Sequence, residues 1–402
     1  MDLFMRIALG TRALVRKDPV LVIAIVLALA SCAVVPPDAA YADYVDLRTI
    51  GMLFSLMTIM TGLSRLGVFR IACRKLLGVV RGPRRLALAL TLLAFFSSML
   101  ITNDVALVTF VPFALLALGS LGDARHACFT IVMMTIAANL GSMLTPIGNP
   151  QNLYLYSASH MGIAEFVLLM LPYAAASLAL LVAAIALFGK LQANGTDGNT
   201  HGSARASARD AEPALPASAT AATDALDPAP SPLRIAPWAA LFALALLSVA
   251  RIVPYQATVA AAIAVALLAD RRALLHVDYA LLLTFVAFFV FVGNVGRIGA
   301  IDAFLAQMID GHELAVSVAA SQVLSNVPAA LLLSGFTSAW PALIVGTNLG
   351  GLGTLIASMA SLISYKQVAL VLPREKGRYF KLFTVWNVAF LAVLAALAAV
   401  IF

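Results

Sequence analysis

The stretch from Ala138 to Tyr156, ANLGSMLTPIGNPQNLYLY, limits this fold more than any other. Its middle, Thr145-Pro146-Ile147-Gly148-Asn149-Pro150-Gln151-Asn152, holds two prolines, a glycine and two asparagines. Each proline removes a backbone donor and clashes with the preceding turn, and the residue before it is pushed away from helical angles. No uninterrupted helix can hold such a run. The chain around it is 62% hydrophobic and 11% charged, where soluble domains are about 25% charged. Open backbone at membrane depth is tolerated only inside protein or along a cavity. The stretch therefore predicts a broken transmembrane helix with a polar break, the build of a secondary-transporter binding site.

A second copy follows at a constant offset of 209, where Asn348 to Tyr365 reads NLGGLGTLIASMASLISY. Asn139/Asn348, Leu140/Leu349, Gly141/Gly350, Thr145/Thr354, Ile147/Ile356, Leu153/Leu362 and Tyr156/Tyr365 are identical in register. Asn-Leu-Gly with a threonine and a tyrosine in step exceeds what drift in an Ala/Leu-rich chain would give. An internal repeat is expected, as in many transporters.

The formal net charge of +7 reflects Lys- and Arg-rich cytoplasmic loops and not a nucleic-acid footprint. Cys32, Cys73 and Cys128 are scattered, with no CxxC spacing, and read as small apolar residues. His126, His160, His201, His276 and His312 make no ligand pattern, so neither a metal site nor a cofactor is expected.

Charge bias orients the spans. Arg6, Arg12, Arg16 and Lys17 keep the N-terminus cytoplasmic, and Val20 to Val35 crosses outward, a first helix and not a cleaved signal. Leu47 to Ser64 returns to a cluster of Arg65, Arg70, Arg74, Lys75, Arg81, Arg84 and Arg85, within which Val68 to Val80 predicts an interfacial amphipathic helix touching anionic lipid. Residues 86–119 form a hairpin turned at Thr102-Asn103-Asp104. Its arms of ~16 residues reach ~24 Å, short of the ~30 Å core, which favours a re-entrant hairpin. The broken helix, residues 127–160, crosses outward, and Phe166 to Phe188 returns. Residues 190–234 are Ala, Ser, Pro, Thr, Asp and Gly, and predict a disordered cytoplasmic linker. Ile235 to Ala250, Ala257 to Ala269 and Ala280 to Val295 cross in turn. A second hairpin, residues 313–338, breaks at Ser325-Asn326-Val327-Pro328, a second broken helix spans residues 341–365, and Leu382 to Phe402 ends outside. The fold class is thus an all-α polytopic membrane protein of about nine spans and two hairpins. Residues 1–189 and 235–402 form two repeats, inverted because their hairpins open from opposite faces.

Four polar breaks are expected to converge at the midplane. Each tip offers helix N-terminal amides for an anion. Each also offers freed carbonyls, with side-chain oxygens from Thr102, Asn103, Ser325 and Asn326, for a hard cation such as sodium. Asp104 stands out, since a carboxylate at membrane depth is costly and usually functional. It can ligate a cation, carry a proton, or cap the second hairpin arm. Thr145, Asn149, Asn152, Thr354, Ser358 and Ser361 can complete two half-sites around one substrate. Arg65 and Arg297, in the matching contexts GLSRLG and NVGRIG, read as snorkelling arginines more than anion ligands. Tyr154 and Tyr156 read as pathway residues or interfacial anchors, and Gly293-Asn294 as a kink.

Thr145 to Asn152, following the Thr102-Asn103-Asp104 hairpin, resembles the ion transporter superfamily. The first half is similar to divalent-anion/sodium symporters, whose hairpin tips carry Ser-Asn-Thr and whose broken helix carries Thr-Pro-x-Gly-Thr-Pro-x-Asn. Thr354 to Ser361 lacks both prolines and, with Thr102-Asn103-Asp104 and Ser325-Asn326-Val327-Pro328, looks more like the arsenite-permease branch. The resemblance covers the chain outside residues 190–234. It implies secondary active transport by an elevator-type movement, with sodium or protons as the coupling ion. It places Thr102, Asn103, Asp104, Ser325 and Asn326 at cation or proton coupling. It places Thr145, Pro146, Gly148, Asn149, Pro150, Asn152, Thr354, Ser358 and Ser361 at the substrate.

The expected function is transport of a small anion or oxyanion across the bacterial inner membrane, with the N-terminus cytoplasmic and the C-terminus periplasmic. An arsenite-type efflux permease or a sodium/proton antiporter is the alternative. A channel would assemble identical subunits around an axis, and an enzyme would need a nucleophile–base or carboxylate–metal set that the breaks lack. Partners are the anionic substrate and membrane lipid, with a homodimer as in related folds and no nucleic acid.

Overall fold

The structure, a computed structural model, describes residues 18–80, 82–119, 123–196 and 230–402, and among these residues it is helical with no strand. The first half runs α1 Pro19–Val34, α2 Tyr41–Tyr44, α3 Leu47–Arg65, α4 Val68–Val79, α5 Pro83–Ser97, α6 Asn103–Gly119, α7 Ala124–Ser142, α8 Pro150–Ala158 and α9 Ile163–Thr196. The second runs α10 Pro232–Val249, α11 Tyr255–Ala269, α12 Arg272–Leu275, α13 Tyr279–Gly296, α14 Gly299–Ile309, α15 Glu313–Leu324, α16 Asn326–Leu333, α17 Trp340–Leu349, α18 Met359–Val371 and α19 Lys376–Ile401. Prolines open α1, α5, α8 and α10, where the missing N–H has no helical partner to lose. Leu47–Arg65, Ile163–Gly189, Pro232–Val249, Tyr279–Gly296 and Pro373–Ile401 are long and apolar enough to cross a membrane. The chain is an integral membrane protein.

Both expected breaks are present. α7 stops at Ser142 and α8 begins at Pro150, while α17 stops at Leu349 and α18 begins at Met359. The first hairpin turns between Ser97 and Asn103. The second turns on Ser325 alone, and Val327 and Pro328 lie in the first turn of α16, where a proline costs nothing. That break is narrower than the four residues expected. α9 runs on to Thr196, so helix replaces the start expected for the linker at Lys190. The linker's residues 197–229 lie outside the described residues. α14 was not expected; its Ile301, Phe304 and Met308 are exposed, a short apolar face punctuated by Asp302.

Two compact units emerge, and they are interleaved along the chain. The first takes the chain up to Gly62, Pro150–Ile163 and Ala236–Gly351; the second takes Leu63–Asn149, Ala164–Ile235 and Leu352–Phe402, in each case the described residues. The chain changes unit inside each break, between Asn149 and Pro150 and between Gly351 and Leu352. Each unit therefore holds one hairpin, the near half of one broken helix and the far half of the other.

In the second unit α7 is the axis. Every residue from His126 to Ser142 is buried, as expected of a helix with no polar face. α5, α6, α18 and α19 pack around it, and α4 lies on α5 and α6. Thr130 and Thr135 bond back to carbonyls one turn earlier, which satisfies them without water. In the first unit α1 packs along α13, and α15 packs on α16 and α17. Gly293 lets the Tyr44 ring approach, since a Cβ there would stand 2.5 Å from it. This is close packing, and α13 continues unbroken through Gly293-Asn294. Asn294 donates to Ser31 Oγ at 3.0 Å, joining α13 to α1.

Candidate ion and substrate site

The second unit gathers the first tip, the first break and the far end of the second break. Asn139, near the end of α7, is the hub. Its Oδ1 accepts from Asn103 Nδ2 at 3.0 Å and from Ser358 Oγ at 2.9 Å, and its Nδ2 donates to Ser361 Oγ at 3.4 Å. All four side chains are buried. Buried amides and hydroxyls need such partners, since each one left unsatisfied costs about 1–3 kcal/mol.

The tip is also held through the main chain. Asn103 N donates to the Gly148 carbonyl at 3.2 Å, and Asn103 Oδ1 accepts from Asp104 N at 3.0 Å. Thr145 donates its hydroxyl to the Met99 carbonyl, and Asn149 Nδ2 reaches Ser142 Oγ at 3.3 Å. Gly141 lets α7 lie against α5, because a Cβ there would stand 2.1 Å from the Phe95 carbonyl oxygen. Ser358 occupies the residue before α18, where a serine ordinarily caps the helix. Its hydroxyl goes to Asn139 instead, and α18 begins with no side-chain cap.

The first unit gathers the second tip, the end of α17 and α8. Asn348 Nδ2 donates to Asn152 Oδ1 at 2.6 Å and to the Ile344 carbonyl at 2.8 Å. The hairpin is fastened by its arm, as Gln322 Nε2 donates to the Gly350 carbonyl at 2.9 Å. At the tip Ser325 has φ 77° and ψ 153°, a region almost reserved for glycine and stored as strain when another residue holds it. The Asn326 side chain lies over Gly351, 2.9 Å from where a Cβ would be, and makes no hydrogen bond among the described residues.

The two clusters are related. Asn139–Ser361 and Asn348–Asn152 are the same pairing under the offset of 209 that relates the two sequence copies.

The expected site residues divide between the units. Thr102, Asn103, Asp104, Thr145, Pro146, Gly148, Asn149, Thr354, Ser358 and Ser361 belong to the second; Pro150, Asn152, Ser325 and Asn326 belong to the first. Thr354 is exposed, and its hydroxyl accepts from Ala357 N of its own loop at 3.2 Å. Asn139, Ser142, Gln322 and Asn348 were missed as site residues, although the repeat identity had already marked Asn139 and Asn348. Tyr154 and Tyr156 both bond within the first unit. Tyr154 shares a 2.7 Å bond with Ser334, and buried Tyr156 donates to the Val249 carbonyl at 3.0 Å. Arg297 is paired with Asp38 at 2.8 Å and donates to Tyr44 Oη at 3.2 Å.

Comparison with known proteins places this architecture. A family profile described as citrate transporter matches residues 7–342. An uncharacterized transporter of Methanocaldococcus jannaschii is 30% identical over 326 residues, covering 80% of this chain and 81% of that one. An inner membrane protein of Escherichia coli is 31% identical over 332 residues, covering 80% of each. A silicon efflux transporter of rice, Oryza sativa, is 35% identical over 139 residues, 35% of this chain and 28% of that one. The match over most of its length shows that the chain belongs to the citrate transporter family, a family of membrane transporters.

Proposed function

We propose that this transporter is a secondary carrier for a small anion or oxyanion at the bacterial inner membrane, coupled to sodium or protons by an elevator-type alternating-access movement. The N-terminus is cytoplasmic and the C-terminus periplasmic. In this reading the hairpins are re-entrant and the two repeats inverted; the matched pairings at an offset of 209 support the repeat itself. The observation that carries the proposal is the hub at Asn139. A hairpin tip, a broken-helix end and a second break meet there through neutral amide and hydroxyl groups, the ligand type that suits a hard monovalent cation beside a moving solute.

A second reading is efflux of a weak oxyacid, of the arsenite-permease kind, or sodium/proton exchange. It is favoured by the lack of any cationic side chain among the hub residues Asn103, Asn139, Ser358 and Ser361. The names of two relatives, a silicon efflux transporter of rice and a transporter of Dictyostelium discoideum named arsB, point the same way.

The deciding experiment measures the melting midpoint of the purified protein in sodium chloride and in choline chloride at fixed ionic strength and several pH values. An ion at about 100 times its Kd stabilises the folded state by about 2.7 kcal/mol. A sodium-specific rise that disappears in Asn103→Ala and Asn326→Ala supports sodium coupling. No sodium effect, with a pH-dependent midpoint that changes in Asp104→Asn, transfers the proposal to proton coupling and the oxyacid reading. Neither dependence, with no gradient-driven flux of oxyanion or oxyacid in proteoliposomes, refutes both.

A further inference from the structure

The first unit contains a cavity of 450 Å3 away from the tip residues, lined by the start of α3, the end of α8 and the end of α13. Pockets of about 300–1,000 Å3 take small ligands. Its polar wall is Tyr44, Asp46, Arg48, Tyr154, Ser157 and His160, over a floor of Phe289, Val292 and Gly293.

The bonding in that wall is one-sided. Asp46, the sole carboxylate lining the cavity, is engaged at both oxygens: Oδ1 accepts from Thr49 N at 3.1 Å and Oδ2 from the Thr49 hydroxyl at 2.5 Å, about half of its acceptor capacity. Arg48 spends one N–H on the Ser248 carbonyl at 3.3 Å and has no carboxylate partner among the described residues. Four of its five N–H donors remain. Tyr44 Oη accepts from Arg297, which leaves its own proton to give. The Ser157 hydroxyl and the His160 ring have no protein partner among the described residues. His160 is fixed at φ 55°, with its carbonyl accepting from Arg251 at 3.2 Å. More donor than acceptor capacity is left over, and it centres on one guanidinium, which suits an acceptor-rich, negatively charged guest.

We propose that this cavity binds a small oxyanion, with Arg48 as its charged ligand and Tyr44, Ser157 and His160 as further donors. The site is separate from the tip clusters and goes beyond the transport reading, because it requires binding and not flux. The test is isothermal titration of the full-length protein in nanodiscs with orthophosphate and with sulfate, against chloride at matched ionic strength. Saturable oxyanion binding is expected, weakened about tenfold or more in Arg48→Gln, the loss of one charge-assisted pair. Arg48→Lys should retain part of it, and Ser157→Asp should abolish it by placing a carboxylate in the wall. Asn139→Ala should leave it intact. Should Arg48→Gln fail to fold because the Ser248 carbonyl loses one of its donors, Ser157→Asp decides. Binding that survives Ser157→Asp, or that Asn139→Ala removes while Arg48→Gln does not, overturns the cavity proposal and leaves the transporter reading standing. Absence of any oxyanion binding overturns it as well.

Discussion

The two tip clusters share a plan and differ in how the tip is secured. At the first, the asparagine of the tip is latched: Asn103 bonds to Asn139 through its amide and to Gly148 through its main chain. At the second, the Asn326 side chain makes no hydrogen bond among the described residues, and the hairpin is fastened by Gln322 in its arm. The strain is on the unlatched side, at Ser325. A latched, relaxed tip is built to hold one geometry, whereas an unlatched, strained one has amide groups and backbone energy in reserve for an incoming ligand. The lesson is that matched sequence copies need not make equivalent sites.

The largest effect should come from the hub. Asn139→Ala leaves Asn103 and Ser358 without their acceptor, at a cost of about 2–4 kcal/mol. Asn348→Ala removes the donation to Asn152 and the back-bond to the Ile344 carbonyl and should cost less, about 1 kcal/mol. Denaturant unfolding in one detergent compares them, and equal losses would break the asymmetry.

Next is packing. Gly141→Ala drives a Cβ to 2.1 Å from the Phe95 carbonyl, which only backbone movement can relieve, for about 1–3 kcal/mol. At Gly350 the nearest atoms are the Ser321 hydroxyl at 2.6 Å and its Cβ at 2.7 Å, a looser contact than the one at Gly141, although only the hydroxyl can turn away. Gly350→Ala should lower the melting midpoint less than Gly141→Ala does, and the reverse order would put the tighter joint at the second cluster.

Ser325→Gly tests the strain. Glycine adopts this backbone freely, so the variant should gain about 1 kcal/mol, while Ser325→Ala should gain nothing. A gain in both would move the cost from the backbone to the hydroxyl.

The smallest effect lies outside the spans. The hydrogen bond from Arg297 holds the Asp38 carboxyl below the usual carboxylate range. A lowered carboxylate pKa adds stability above the unfolded value of about 3.9 and loses it as pH falls through the folded value. The pair is exposed, so Asp38→Asn should shift the midpoint slightly at neutral pH, less in high salt, and not at all in strong acid.

Much of this was legible in the sequence. Proline, glycine and asparagine carry their chemistry locally, so Thr145 to Asn152 announced a break; the turn expected at Thr102 to Asp104 falls earlier, at residues 98–102, with Asn103 and Asp104 opening α6. The first arm was expected at ~16 residues and α5 has 15. Asn139 was visible only as a repeated letter, because its partners Ser358 and Ser361 lie more than 200 positions away and nothing local marks a hub. Ser325 gave no sign of its φ, since a serine suits most turns and the strain is imposed by the two arms. Helix α14 was hidden by Asp302, which interrupts its apolar pattern.

The exchange of far helix halves has a consequence for biosynthesis. When the ribosome has finished α7, the groups that satisfy Asn139 and Thr135, namely Ser358, Ser361 and Ser364, are still more than 200 residues from being made. Asn348 in turn must find Asn152, inserted long before. Neither half of the nascent chain can complete its own interior, so maturation ends as a post-insertional exchange of segments. A polypeptide truncated after α17 leaves Asn139 without Ser358 and Ser361, and presents the quality-control proteases with an open amide where the full-length chain has a closed knot of bonds.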